Sequence, residues 1–149
     1  MKYTCAYCQK HSCHKGDLSD APINCPTVNN NHEETTKLYE EKENYDIAKA
    51  SAEIVMDNYG AKTRLTEIVD FAKRMGYKKI GLAFCVGLSK EANVFAKILA
   101  SHGFEVESLI CKVGSVNREK IGIEGCKVPM CNPIAQAKYL NEEKTDFNV

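Results

Sequence analysis

Cys5, Cys8, Cys13 and Cys25 follow one another in the pattern C-x2-C-x4-C-x11-C, and Pro26 follows the last of them. A C-x2-C turn lets two thiolates converge on one ion, and two more thiolates complete a four-sulfur shell. His11 and His14 lie inside the same stretch, where they could replace a cysteine ligand or donate hydrogen bonds to sulfur. Residues 1–31 carry these groups and almost no aliphatic side chains. Such a segment cannot order itself by burying apolar area, so the spacing predicts a head held together by metal ligation. The alternative, four small buried residues with no metal, requires a core that this segment does not have.

Two metal centres suit this donor set. Zinc ribbons commonly use two C-x2-C knuckles, and only one is present here. Three clustered cysteines and a remote fourth followed by proline suit a [4Fe–4S] cluster, although the spacing is not that of a bacterial ferredoxin. Tetrathiolate ligation is the expectation, with Zn2+ and the cluster both open.

A second set of cysteines lies further along. Cys85 ends an apolar run and precedes a glycine-containing loop, Cys111 ends a second apolar run, and Cys131 stands just before Asn132-Pro133. If both runs are strands of a parallel sheet, their ends share the edge at which open α/β folds bind ligands. Helix N-termini favour thiolate over thiol at Cys85 and Cys131, and with Cys111 at the same edge these three are candidate catalytic thiols or ligands. The competing reading is that a single buried cysteine is most often a small hydrophobe. Cys126, in an irregular loop, is a weaker fourth member.

Bulk composition narrows the setting. Twenty basic residues face twenty acidic ones, a balance that speaks against a nucleic-acid partner, because such proteins carry a basic excess. The N-terminus has no apolar signal core, and no apolar run approaches the roughly 18 residues of a membrane span. A cytoplasmic location is therefore expected, where eight cysteines are kept reduced and metal or thiol chemistry outweighs a disulfide framework. No phosphate-binding loop, Ser–His–Asp arrangement or H-E-x-x-H helix supports a common hydrolase or nucleotide enzyme.

The elements that must position these cysteines are legible as periodicities. Asn29-Asn30-Asn31 reads as a boundary, and residues 32–76 as a helical segment. Leu38, Tyr45, Ala48, Ala52, Val55 and Tyr59 are expected on one face of a helix from about Glu34 to Tyr59, with Gly60 as its stop. Leu65, Ile68, Val69, Ala72 and Met75 form the stripe of a second helix ended by Gly76. Residues 77–149 then change character. Lys79–Cys85 reads as a strand covered on both faces. Ser89 is the expected N-cap of a helix through about His102, packed through Val94, Phe95, Ile98 and Leu99. Phe104–Val113 reads as a second strand and residues 114–130 as irregular chain. Asn132-Pro133 opens a helix with Ile134, Ala137 and Leu140 as its apolar residues. Asp146–Val149 begins a third strand. The expected class is α/β: a small parallel-sheet body of Rossmann or flavodoxin-like type, preceded by helices and the cysteine-rich head.

Four stretches together resemble a prokaryotic family of metal-binding proteins, the domain of unknown function DUF1847. They are the four-cysteine head ending in Cys25-Pro26, Gly81–Gly87, Cys111-Lys112-Val113-Gly114, and Cys131-Asn132-Pro133-Ile134-Ala135-Gln136-Ala137. The resemblance implies metal binding and supplies no reaction. The family pattern continues past residue 149 through a further Gly-Cys-Val-Gly-His segment that echoes residues 85–87, which implies a member truncated at its C-terminus. Two functions follow as expectations. One is a redox or thiol-dependent enzyme with a redox partner, in which the head is structural or electron-transferring. The other is a zinc-stabilised interaction module that docks to a protein partner.

Overall fold

Strand-forming residues in the second half of the chain build a three-stranded parallel sheet of order β2-β1-β3 in the computed structural model, which describes residues 3–57 and 59–149. The chain divides into two compact units, Met1–Ala48 and Lys49–Val149, and the division falls inside one helix. In chain order the helices are α1 (Ser12–Lys15), α2 (Pro26–Asn29), α3 (Glu33–Lys37), α4 (Lys42–Asp57), α5 (Arg64–Arg74), α6 (Ser89–Ser101) and α7 (Pro133–Glu142). The strands are β1 (Lys79–Phe84), β2 (Glu105–Ile110) and β3 (Phe147–Asn148). No helix among the described residues is long and apolar enough to cross a membrane.

The Lys49–Val149 unit has the alternation that its sequence announces. β1 runs parallel to β2 in a register from Lys79↔Glu105 to Phe84↔Ile110. On its other side β1 pairs in parallel with β3 through Ile80↔Phe147 and Gly81↔Asn148. Ile80 packs with Val69 and Ala72 of α5, Leu99 of α6 and Phe104, and Phe95 and Val106 pack against that cluster. Phe147 joins the same face as Ile80 and lies 5.4 Å from the ring of Phe71 and 5.9 Å from that of Tyr77. On the opposite face Gly81 lies under α7. A Cβ there would stand 2.0 Å from Asn148 Oδ1 and 3.2 Å from Leu140 Cδ1, so only glycine lets both approach β1 this closely.

Local capping accounts for the helix bounds. The Thr63 side chain accepts the Thr66 N–H at the start of α5, Lys73 and Arg74 fill its last turn, and Gly76 follows at a φ of 74°. Asn132 accepts the Ala135 N–H at 3.1 Å and Pro133 takes the first turn of α7, as Asn-Pro predicts.

Four expectations need correction. The helix from Glu34 to Tyr59 is broken: α3 passes into a 3-10 turn at Leu38–Glu40, and Glu41 is extended, with ψ 130°, before α4 begins. Residues on either side of that break no longer share one helical face. Leu38, Tyr45, Ala52, Val55 and Tyr59 are exposed, and the buried pair is Ala50 and Ile54, one turn apart. Asn58, within the expected span, lies outside the described residues. Ser89 does not cap α6. A 3-10 turn at Val86–Leu88 leads into that helix, and the Ser89 hydroxyl donates back to the Val86 carbonyl at 2.6 Å. Val94 is 57% exposed, and α6 buries Ala92 and Leu99 instead. Ile134 is 80% exposed and Ala137 is also exposed, because α7 turns Gln136 and Leu140 inward.

Asp146 admits β3 to the sheet. Its carboxylate accepts the N–H groups of Lys78 at 2.7 Å and Lys79 at 2.9 Å. The bond from Lys79, then that from Lys78, holds the carboxyl below its ordinary range against a smaller opposing effect of desolvation. A carboxyl lowered by folding stabilises the protein above its unfolded pKa, and that contribution disappears as pH falls through the folded value. We expect the urea midpoint of Asp146→Asn to fall less than that of the wild type as pH drops below about 4. Parallel pH profiles would show that Asp146 contributes nothing.

Candidate metal centre and the cysteines of the sheet edge

The Met1–Ala48 unit is built from short turns joined by polar contacts. Cys5–Tyr7 forms a single 3-10 turn, closed by the Cys8 N–H donating to the Cys5 carbonyl at 3.0 Å. This is the local geometry of the C-x2-C spacing, with both thiols on one turn. His11, at a φ of 51°, redirects the chain into α1, which carries Cys13. Ser12 is the one buried residue of this unit among those described. Its hydroxyl donates to Asp20 at 2.8 Å, and the Lys10 ammonium reaches the other oxygen of Asp20 at 3.1 Å. Those two bonds, Ser12's first, lower the Asp20 carboxyl from its ordinary value. They also tie residues 17–20 against the turn that holds Cys13. Asn24 then donates to Thr4 Oγ1 at 2.5 Å, which brings Cys25 back beside Cys5.

Cys5, Cys8, Cys13 and Cys25 consequently line one cavity of about 180 Å3, together with His11. His14 is not among its lining residues. Desolvation pushes the Cys25 thiol up, but the Thr27 N–H and hydroxyl and the Val28 N–H together hold it below its usual value. All eight cysteines are free thiols. Among the described residues, no three His, Cys, Asp or Glu side chains already stand as a group able to hold one ion.

In the Lys49–Val149 unit, three cysteines come to the C-terminal edge of the sheet. The Cys111 N–H donates to the Phe84 carbonyl at 2.8 Å, and the Cys111 sulfur accepts the Val86 N–H at 3.3 Å. The Asn132 N–H donates to the Cys111 carbonyl at 2.7 Å. Cys111 thus touches both residues that flank Cys85 and the residue that follows Cys131. Cys111 is buried, whereas Cys85 and Cys131 are exposed. Cys126 stays on the 111–132 loop, its thiol 3.9 Å from the Val128 carbonyl.

Gln136 is a positioning residue that sequence reading passed over. Its amide, 8% exposed, donates to the carbonyls of Leu109 at 2.8 Å and Phe84 at 3.3 Å. It thereby fastens α7 across the ends of β1 and β2. The signal was present in the sequence: Asn132, Gln136 and Leu140 recur every four residues and share one helical face.

The family profile described as Protein of unknown function (DUF1847) matches residues 25–149. Cys25, Cys85, Cys111, Cys126 and Cys131 fall inside that stretch, and Cys5, Cys8 and Cys13 precede it. The chain is also similar to the uncharacterized protein MJ0455 of Methanocaldococcus jannaschii, with 42% identity over 149 residues. That alignment covers 97% of this chain and 72% of the relative. No solved structure matches the chain. With most of its length inside the profile and a relative this close across nearly the whole sequence, the chain belongs to the DUF1847 family.

Proposed function

We propose that this is a metal-binding protein whose head cysteines, Cys5, Cys8, Cys13 and Cys25, hold one metal centre. The observation that carries the reading is their shared cavity in a unit with Ser12 as its one buried residue among those described. Without an apolar core, coordination is the interaction able to supply the folding free energy of this unit. Four thiols and no carboxylate line the cavity, a soft donor set suited to zinc or to an iron–sulfur cluster. A tetrahedral zinc ion and a [4Fe–4S] cluster both take four thiolates. When bound, such a cluster supplies one-electron transfer.

The enzyme form of this reading is a redox or thiol-dependent protein of the cytoplasm, served by a redox partner, with Cys85, Cys111 and Cys131 as its reactive centre. Their gathering at one sheet edge, two of them exposed, supports it. A groove in the first unit favours a second reading, a zinc-stabilised module for a protein partner. It measures about 480 Å3 and is lined by Leu38, Tyr39 and Ile47, all exposed apolar side chains.

Anaerobic purification followed by visible spectroscopy and elemental analysis tests both. Brown protein with iron and sulfide would make the head a cluster site and favour the enzyme form. Colourless protein with one zinc per chain would leave the head a structural zinc site and move the balance to the interaction module. Protein with neither metal, and with unchanged stability after chelation, would defeat the metal reading.

A further inference from the structure

We propose that Cys85, Cys111 and Cys131 form a second metal seat, with three thiolate ligands for a soft cation and one coordination position left open. This deepens the reading of the edge thiols as a reactive centre and does not depend on what the head binds.

The backbone carries the argument. Cys111 hydrogen-bonds to Phe84 and Val86 on either side of Cys85, and to Asn132 next to Cys131. Three cysteines far apart in sequence are therefore held on adjoining segments, through bonds of 2.7–3.3 Å. The small-hydrophobe explanation fails for two of them, since Cys85 and Cys131 are exposed. It accounts for Cys111 only in part, because that sulfur receives the Val86 N–H. An N–H directed at sulfur is the outer contact that metal-bound thiolates keep, where it tunes the centre.

Position and donor type agree with this. Cys85 and Cys111 follow the C-terminal ends of the neighbouring parallel strands β1 and β2, the edge of the sheet on which open α/β folds take ligands. Gly87 adds no side chain beside the Cys85 sulfur, and a Cβ there would lie 3.9 Å from it. Thiolates select soft cations such as zinc or the iron of a cluster over magnesium or calcium. Three protein ligands and an open position are the arrangement of reactive zinc sites, whereas structural zinc sites close with four. The three thiols do not yet converge on one point. Cys85 and Cys131, both exposed, are the ones that must turn inward as the cation binds.

Cadmium titration of the full chain, stripped with chelator and kept reduced and anaerobic, tests the proposal. Near-ultraviolet thiolate-to-cadmium absorbance and native mass spectrometry count the bound ions. Two ions per chain are expected for the wild type and one for Cys8→Ser. One is also expected for Cys85→Ser and for Cys131→Ser, exposed positions at which circular dichroism should show an unchanged fold. Two ions retained in both body variants would overturn the proposal. So would no binding at all, or a single ion lost only in Cys8→Ser, which leaves the head site standing. A single ion that survives Cys8→Ser and disappears in Cys131→Ser would support the body seat and remove the head reading.

Discussion

Cys8→Ser should abolish metal uptake at the head and leave residues 3–31 open to protease, while the Lys49–Val149 unit keeps its protection. The size of the effect follows from what else supports the head. The Ser12–Asp20, Lys10–Asp20 and Asn24–Thr4 contacts are polar, and apart from Ser12 they lie at or near the surface. Solvent-exposed hydrogen bonds of this kind contribute little net stability, and an exposed ion pair contributes less. Structural zinc in small domains contributes on the order of 10–16 kcal/mol at neutral pH. A head that loses its metal therefore has no comparable interaction to fall back on. Elemental analysis and limited proteolysis of the variant, compared with the wild type before and after chelation, provide the measurement. Full occupancy in Cys8→Ser, or a head equally protected with and without metal, would contradict the assignment of Cys8 as a ligand.

Leu99→Ala should destabilise the α/β unit by about 2–5 kcal/mol, the usual range for emptying a buried leucine site. Leu99 is fully buried and packs with Val69, Ala72, Ile80 and Phe104, so helices α5 and α6 and strand β1 all border the space it would vacate. Against a typical total of about 5–15 kcal/mol, this is a large share. Val94, on the same helix but 57% exposed, is the control, and Val94→Ala should change stability by no more than about 0.5 kcal/mol. Urea unfolding followed by circular dichroism separates the two, with a lower midpoint and an unchanged slope expected for Leu99→Ala. Equal effects at the two positions would mean that Leu99 is not at the centre of this core.

Much of the α/β unit was legible because its signals are local. The apolar run Lys79–Phe84, the Asn132-Pro133 start of α7 and the β-branched stretch around Val106 each declare an element within a few residues. The helical segment before it was misread for the same reason. A spacing of seven, three and four assumes one unbroken helix, and the extended Glu41 breaks that assumption. Nothing in a charged stretch such as Glu40–Glu43 marks where a helix stops.

By itself the sequence determined that the first 31 residues would carry four thiols and almost no aliphatic side chains to build a core, since both are matters of composition and order. It also determined that β1 and β2 would run parallel, because the helical connection between them is too long for a hairpin. Only the tertiary structure decided that β3 joins the free side of β1, that Gln136 is drawn under the sheet edge, and that Val86 donates to the Cys111 sulfur. Periodicity reports that a face is apolar and not what will cover it. Contacts between residues 25 or more positions apart exist only once the sheet has brought their strands side by side.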